Sequence, residues 1–301
     1  MGLKQIKNKI ESTKKTGKVT KAMEAVSAVK MRKTQERALQ GRPYVYTALR
    51  TLKRLSQSTD ALMHPLMQQR TEGRTLLIIV TSDKGLAGSV NSAVLKQAEH
   101  VFREQPETDV IAVGKKAVDF AHRLRKNVIG EYTNLSDNVT IADVYEMSAL
   151  ATSSFTDGSY AKIIVTYQNF ISTFEQRPTT RQILPLSVNE IRDVMENIKP
   201  KTGKYSEEKP NVEANISYTI EPSAEEVLNV LIPQLVQIVL YHALIESKAC
   251  EHSARMVAMK SATDKTKDFT KALTLEYNKV RQSVITAEVS EITGGIEALK
   301  T

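Results

Sequence analysis

The residues best placed for chemistry lie between Thr81 and Asn91, in the segment TSDKGLAGSVN. An apolar run precedes this segment and a helical pattern follows it. Gly85 and Gly88 could therefore shape a turn that presents backbone N–H groups to a phosphate. The segment lacks the third glycine of the dinucleotide fingerprint and the Gly-Lys-Ser/Thr of a P-loop. A tight strand-to-helix connection is the default interpretation, and nucleotide binding is the alternative.

The five histidines and the single cysteine form no pattern typical of a metal or catalytic site. No two histidines are spaced i, i+4, and none lies beside the cysteine at metal-ligand spacing. No Gly-x-Ser-x-Gly elbow is present. Cys250 is predicted to be a small packed residue, and a lone cysteine is consistent with a reducing compartment. The sequence therefore predicts no metal, no cofactor and no catalytic residue, and it favours a mechanical or binding role.

Positive charge is concentrated at the N-terminus. Residues 1–54 hold 15 Lys/Arg and three acidic residues, a local net charge of +12 within a chain of net charge +8. Such an arm could bind nucleic acid, an anionic membrane or an acidic protein surface, or form a solvated helix face. We expect no membrane span, because we find no apolar stretch of 18 residues. We also expect no signal peptide.

The longest uninterrupted helical pattern lies near the C-terminus. Residues 234–293 contain neither Gly nor Pro, and as one helix they would extend roughly 90 Å. Ser223 and Glu226 have the spacing of a capping box, and Pro233 should kink the helix. Residues 3–40 form a second predicted helix, which could continue with a bend to about residue 57.

Apolar residues recur at steps of three and four in both helices, which predicts an antiparallel coiled coil of the two chain ends. The predicted seam of the N-terminal helix is Leu3, Ile6, Ile10, Val19, Ala22, Val26 and Val29. The predicted seam of the C-terminal helix is Leu273, Tyr277, Val280 and Val284, then Ile285, Val289, Ile292 and Ile296 after a shift of one residue.

The middle of the chain alternates between strand and helix patterns. Continuous apolar runs at 75–80, 110–113 and 162–167 predict strands covered on both faces, and the segments 88–104, 114–126 and 141–155 predict helices. This alternation predicts a three-layer Rossmann-like α/β domain inserted between the two terminal helices. Further strands are predicted at 182–186 and 215–220, and an exposed loop at 199–213. The predicted domains are 1–57, 74–200 and 214–301.

Several segments resemble the gamma subunit family of F-type ATP synthases. They are IKNKIESTKKTGKVTKAMEAVSAVKM (6–31), TSDKGLAGSVN (81–91), SARMVAMKSATDK (253–265) and YNKVRQSVITAEVSEITGG (277–295). They occur in the family's order over the whole chain. Three positions depart from the usual pattern: Lys265 stands where Asn is usual, Ala87 stands where many members have Cys, and Gly17 falls within the first helix.

The resemblance implies a non-catalytic subunit that needs no cofactor. It would be the central rotor shaft of the ATP synthase, transmitting torque between the membrane c ring and the hexamer of three alpha and three beta subunits. Ion translocation would thereby be coupled to ATP synthesis or hydrolysis. One copy would bind alpha, beta, epsilon and c-ring subunits, on the cytoplasmic face of the bacterial cell membrane, and its membrane association would be indirect. The residues implied to contact the hexamer are Lys21, Met23, Lys30, Arg255, Arg281, Gln282, Thr286 and Glu288.

Two other functions stay open from the residues alone. A basic coiled-coil protein could bind nucleic acid through the +12 arm, although few aromatic side chains there could stack on bases. A nucleotide-binding enzyme could use the α/β domain, and it would bind ATP as an isolated chain.

Overall fold

The computed structural model describes residues 2–40, 47, 51, 64–70, 72–187, 221 and 223–298. The helices are α1 (Leu3–Gln40), α2 (Val90–Glu104), α3 (Lys115–Arg123), α4 (Ala142–Thr156) and α5 (Ala224–Ala298). The strands are β1 (Arg74–Val80), β2 (Thr108–Val113), β3 (Val128–Tyr132), β4 (Tyr160–Phe170) and β5 (Gln176–Leu184). The chain forms two compact units: unit 1 comprises Met1–Ser27 and Arg255–Thr301, and unit 2 comprises Ala28–Ala254.

Unit 2 is built on a five-stranded sheet with the strand order β3-β2-β1-β4-β5. The first four strands are parallel, and β5 is antiparallel to β4. Strands β1 and β2 are almost wholly buried because their side chains are apolar on both faces, as expected of a parallel sheet covered by helices. The prediction of a Rossmann-like α/β domain is confirmed.

Alternate residues of the strands enter two separate cores. Leu77 and Ile79 pack with the apolar faces of α2 and α3. Leu76 and Ile78 lie in the opposite core, with α4 and the first part of α5. Helices therefore cover both faces of the sheet, which makes three layers as predicted.

A buried carboxylate ties three parallel strands together. Asp109 on β2 accepts hydrogen bonds from the Arg74 guanidinium of β1 at 2.6 Å and from the Tyr160 hydroxyl of β4 at 2.8 Å. Burial, with the Asp109 hydrogen bond, raises the pKa of Tyr160 to about 12. The phenol therefore remains a hydrogen-bond donor at neutral pH.

The helix boundaries lie within a few residues of those predicted, whereas the strands differ more. Strand β3 was missed because its sequence VIGEY mixes Gly and Glu into the apolar residues and leaves it only partly buried. The strand predicted at 182–186 is the end of the longer strand β5 and stops at Leu184. The strand at 215–220, the loop at 199–213 and the extension of α1 to 57 lie outside the described residues, apart from residues 47 and 51. The predicted domain boundaries stay a prediction.

The start of α5 follows the predicted capping pattern. The Glu226 backbone N–H donates to the Ser223 hydroxyl at 3.1 Å, which satisfies one of the free donors at the helix start. Pro233 lies inside the helix, and its predicted kink stays a prediction.

The expectation that the chain has no strongly apolar stretch was wrong for α5. This helix contains an 18-residue window of mean hydropathy 1.7, long and apolar enough to cross a membrane by length and composition. However, 61% of that window is buried inside the protein. The stretch is apolar because it helps to form the core of unit 2.

Unit 1 pairs the start of α1 with the second half of α5. The Thr20 and Thr263 hydroxyls are 2.7 Å apart, and Gly17 faces Thr266. The residue numbers of these contacts decrease along α1 as they increase along α5, so the two helices run antiparallel, as predicted.

The predicted seam of α1 was wrong by one residue over much of its length. Ile6, Thr20 and Ser27 are buried, whereas Val19 and Val26 are more than half exposed. Ala22 and Val29 are exposed as well. The reason is the helix phase: heptad steps from Ile6 place Thr20 and Ser27 toward α5. Val19 and Val26 each lie one position earlier, about 100° around the helix. The two helices also approach closely at Gly17, where a Cβ atom would lie 2.7 Å from Thr266 Oγ1.

The predicted seam of α5 was wrong toward its end. Leu273 is buried and Tyr277 and Val280 are half-buried, but every described side chain of residues 281–296 is exposed. Within unit 1, α1 begins at Leu3, so it is too short to pair with this part of α5. Val284, Ile285, Val289, Ile292 and Ile296 are consequently unpaired aliphatic side chains.

Candidate functional site

The segment 81–91 is held in place by its own hydrogen bonds. The Asn91 amide oxygen accepts from the Ser82 backbone N–H at 3.0 Å, and the Asn91 amide nitrogen donates to the Ser82 hydroxyl at 2.8 Å. The Ser82 hydroxyl reaches the Lys84 carbonyl at 2.7 Å. These contacts join the end of β1 to the first turn of α2, which supports the interpretation of a tight connection.

The start of α3 is a second helix N-terminus at this sheet edge where a phosphate could bind, and it is occupied by side chains of the same segment. The Lys115 backbone N–H donates to the Asp83 carboxylate at 3.0 Å. The Ala117 N–H donates to the Thr81 hydroxyl at 2.9 Å. A phosphate would have to displace Asp83, which already supplies the negative charge favoured at a helix start.

The cavity at this sheet edge is also too small for a nucleotide. It is lined by Thr81, Asp83, Gly114 and Lys248 among others, and its interior measures about 10 Å³, room for about one water molecule. No group of three or more His, Cys, Asp or Glu that could hold a metal occurs among the described residues. The geometry therefore gives no support to a nucleotide-binding enzyme.

A loop between β3 and α4 joins both long helices within unit 2. Asp137 lies 2.6 Å from Lys30 Nζ of α1, 3.2 Å from His252 Nε2 of α5 and 4.0 Å from Lys248 Nζ of α5. Burial alone would raise the pKa of Asp137, but the Lys30 hydrogen bond and the charges of His252 and Lys248 hold it below its ordinary value. Lys248 also donates to the Leu135 carbonyl at 3.1 Å.

The eight residues implied to contact the hexamer fall into three kinds of surroundings. Lys21 is exposed and Met23 is half-buried on α1. Lys30 is exposed but paired with Asp137. Arg255 is buried, 8% exposed, so it is less available to a partner than the resemblance implies. Their contacts with partner subunits stay a prediction.

The other four of these residues lie together on the exposed part of α5. Arg281, Gln282, Thr286 and Glu288 are all exposed, and the Thr286 hydroxyl donates to the Gln282 carbonyl at 2.9 Å. Residues three and four apart share a helix face, so polar and aliphatic side chains alternate around this part of the helix. We name the surface of residues 281–296 the bare end of α5.

Sequence reasoning missed a second exposed surface, on α1. Val19, Ala22 and Val26 were assigned to the helix seam but face solvent in unit 1. Lys18 and Lys21 lie beside them and are also exposed. A signal existed in the sequence: heptad steps from Ile6 reach Thr20 and Ser27 instead of the valines.

Three features indicate a mechanical or binding subunit. They are the sheet edge occupied by its own side chains, the helix pair, and the two exposed apolar surfaces. A family model described as ATP synthase, that of the gamma subunit, matches residues 2–299. The chain therefore belongs to the ATP synthase gamma-subunit family, and it is a non-catalytic stalk subunit.

Solved structures have the same fold. A chain from the central stalk and c-ring structure of the Tetrahymena thermophila mitochondrial ATP synthase is 24% identical, with a TM-score of 0.57, covering 81% of this chain and 99% of that one. A chain from the Euglena gracilis mitochondrial ATP synthase, in an OSCP/F1/c-ring structure, is 18% identical with a TM-score of 0.66, covering 99% and 94%. A chain from the Euglena rotor is 16% identical with a TM-score of 0.60, covering 94% and 98%.

Proposed function

We propose that this chain is the central rotor shaft of an F-type ATP synthase and transmits torque between the c ring and the alpha–beta hexamer. The family match supports this role. The structural observation that carries it is the bare end of α5. A stalk subunit without an active site acts by presenting different side chains to its partner at each angle, which shifts the partner between conformations.

The bare end of α5 carries aliphatic side chains that would gain from burial. Ile285, Val289, Ile292 and Ile296 are each more than half exposed, and burying an aliphatic side chain of this size gains about 2 kcal/mol. Arg281 and Glu288 can pair with polar groups around the apolar side chains. We assign this segment to the inside of the alpha–beta hexamer, with Gln282 and Thr286 among its contacts.

The exposed surface of α1 fits a second contact with the hexamer. Val19 and Val26 supply apolar area, and Lys18 and Lys21 supply positive charge. A partner with an apolar patch bordered by carboxylates would complement it. We assign this surface, together with Met23, to an acidic loop of the beta subunits.

The remaining partners follow from the same role. The chain binds the c ring and epsilon, is present in one copy per complex, and is held at the membrane only through the c ring. Hydrogen ion or sodium transport then belongs to the whole complex. The solved relatives are mitochondrial, and we place this chain on the cytoplasmic face of a bacterial membrane. Fractionation that left it soluble after c-ring extraction and membrane-bound before it would support this placement.

Reconstitution tests the proposed function directly. The purified chain is mixed with matching alpha and beta subunits, and ATP hydrolysis is measured with the chain alone as control. We expect one complex with steady ATPase activity and no activity from the chain alone. Failure to bind alpha and beta, ATP hydrolysis by the chain itself, or salt-sensitive binding to DNA or RNA instead would reject the shaft assignment.

A matched pair of variants tests the role of the bare end. Val289→Asp places a charge among the aliphatic side chains at the end of α5 and should reduce assembly at least tenfold. Val230→Asp makes the same change at a similarly exposed valine of α5 in unit 2 and should leave assembly unchanged. Equal effects of the two substitutions on assembly would contradict the assignment of the bare end to the hexamer contact.

A further inference from the structure

A group of ionisable and polar side chains lies between α5 and strands β4 and β5 inside unit 2. We name it the Glu246 cluster. Its members are His242, Glu246 and Cys250 from α5, Tyr167 and the backbone carbonyl of Gln168 from β4, and Arg181 from β5. The three α5 residues are spaced by four positions and so share one helix face. The proposed shaft function makes no use of this cluster.

Glu246 is a buried carboxyl group with weak compensation for a negative charge. It is 6% exposed, and Oε1 lies 3.6 Å from His242 Nδ1. The Tyr167 hydroxyl is close enough to the carboxyl group to lower its pKa. Arg181 lies over the Tyr167 ring, 5.7 Å from its centroid, and forms no salt bridge with Glu246 among the described residues.

The hydrogen-bond inventory of the cluster favours a proton on Glu246. Glu246 Oε2 is a buried acceptor without a hydrogen-bond donor in the described part of the chain. A protonated carboxyl group is neutral and supplies one donor, whereas a carboxylate supplies none. An ionised Glu246 would place a buried negative charge on a carboxyl group with an unsatisfied oxygen, which is costly. Burial accordingly raises the pKa of Glu246 from 4.5 to about 7, although Arg181 and Tyr167 act to lower it.

We propose that the Glu246 cluster is a proton-operated latch, which holds α5 against β4 and β5 while Glu246 is protonated and loosens when Glu246 ionises. Two of the other groups facing Glu246 stay neutral near pH 7, because burial raises the pKa of the Tyr167 phenol and of the Cys250 thiol well above their ordinary values. The Arg181 guanidinium carries a permanent positive charge. His242 Nδ1 faces Glu246 Oε1 at 3.6 Å.

The direction of the pH effect follows from the pKa of Glu246. Because this pKa is higher in the folded protein, the stability from Glu246 is fully present below about pH 4.5 and is lost as pH rises through about 7. In this window the folded state holds one proton more than the unfolded state, so this group changes the folding constant about tenfold per pH unit.

Hydrogen exchange of the full chain between pH 5 and pH 8 tests the latch. The amides of residues 242–250 should open more readily as the pH rises, by about tenfold per unit up to pH 7, after correction for intrinsic exchange. Glu246→Gln keeps the shape without the ionisation and should remove this dependence. Glu276→Gln, at an exposed position of the same helix, is the control and should keep it. The same pH dependence in Glu246→Gln as in the wild type would reject the latch.

A second measurement decides the matter if Glu246→Gln does not fold. Infrared difference spectroscopy of the wild type follows the carboxyl band of a buried acid directly, and we expect its midpoint near pH 7. Tyr167→Phe removes the hydroxyl group that lowers the pKa of Glu246, so it should move this midpoint to higher pH. A midpoint near 4.5, or one that does not move in Tyr167→Phe, overturns the proposal. These measurements use the chain alone, so the shaft function is tested separately.

Discussion

Units 1 and 2 use opposite means to hold their helices. In unit 2 a sheet of aliphatic side chains packs against helices on both faces, and the buried Asp109 is held by a short contact with Arg74. In unit 1 two helices meet along a thin seam with a glycine and a hydroxyl pair, Gly17 and Thr20–Thr263, near its middle. Deep apolar cores are stiff because they are close-packed. A thin polar seam gains less from burial, so its helices can move against each other at lower cost.

The largest expected difference between the units concerns cavities. Ile111→Ala removes a fully buried side chain from the sheet of unit 2 and should cost about 3–4 kcal/mol. Ile6→Ala removes an equally buried side chain from unit 1 and should cost about half as much, because the thin seam can collapse or admit water. Hydrogen exchange resolved to each unit measures both losses. A similar cost in the two units would contradict the comparison.

The hydroxyl pair gives a smaller effect. Thr20→Val and Thr263→Val should each cost about 1 kcal/mol, because one buried acceptor loses its partner. Each remaining hydroxyl keeps a bond within its own helix, to the Gly17 carbonyl at 3.1 Å or the Met259 carbonyl at 2.8 Å. The double variant should therefore cost less than the sum of the two. Strict additivity in urea unfolding would show that the pair does not contribute to helix pairing.

The close approach at Gly17 predicts that two opposing effects on stability nearly cancel in Gly17→Ala. Gly17→Ala gains about 1 kcal/mol of helix propensity, but the new Cβ would lie 2.7 Å from Thr266 Oγ1. Rotation of Thr266 to avoid it would break the Thr266 hydrogen bond to the Thr263 carbonyl at 2.7 Å. We expect Gly17→Ala to be neutral or slightly destabilising. The double variant Gly17→Ala/Thr266→Ala should be more stable than Thr266→Ala alone, because the clash is gone. A double variant less stable than Thr266→Ala would mean that atoms other than the Thr266 side chain prevent a Cβ atom at position 17.

The smallest effect on stability is expected at the bare end of α5. Arg281→Ala and Gln282→Ala change exposed side chains and should alter the free energy of unfolding by less than about 0.5 kcal/mol. In the reconstituted complex the same variants should lower ATP turnover coupled to rotation. Deletion of residues 298–301 should lower it only modestly. If Arg281→Ala reduced folding and turnover equally, the residue would be structural.

The sequence predicts the layered domain well because strands β1, β2 and β4 are continuous apolar runs between helical patterns. It predicts β3 poorly because that strand is short and mixed in character. Hydrophobic periodicity located both terminal helices. It failed at Val19 and Val26, because the buried face of α1 carries the hydroxyl-bearing Thr20 and Ser27 there instead of aliphatic side chains. Periodicity also cannot distinguish an aliphatic side chain that packs within the chain from one reserved for a partner, as at Ile292.

The position of the implied contact residues shows the same limit. Arg281 and Gln282 lie on an exposed part of α5, as expected of residues that the family resemblance implies to contact a partner. Arg255 is buried and Lys30 pairs with Asp137, and neither arrangement is visible in a motif. Both depend on which side chains the fold brings from distant parts of the chain.

The bare end of α5 also constrains how the protein is produced in a cell. Five large aliphatic side chains, Val284, Ile285, Val289, Ile292 and Ile296, are exposed along a single helix, and such a surface promotes self-association. A free chain would compete between its own copies and its partner subunits. An excess of the chain made without its partner subunits is therefore expected to aggregate through this helix.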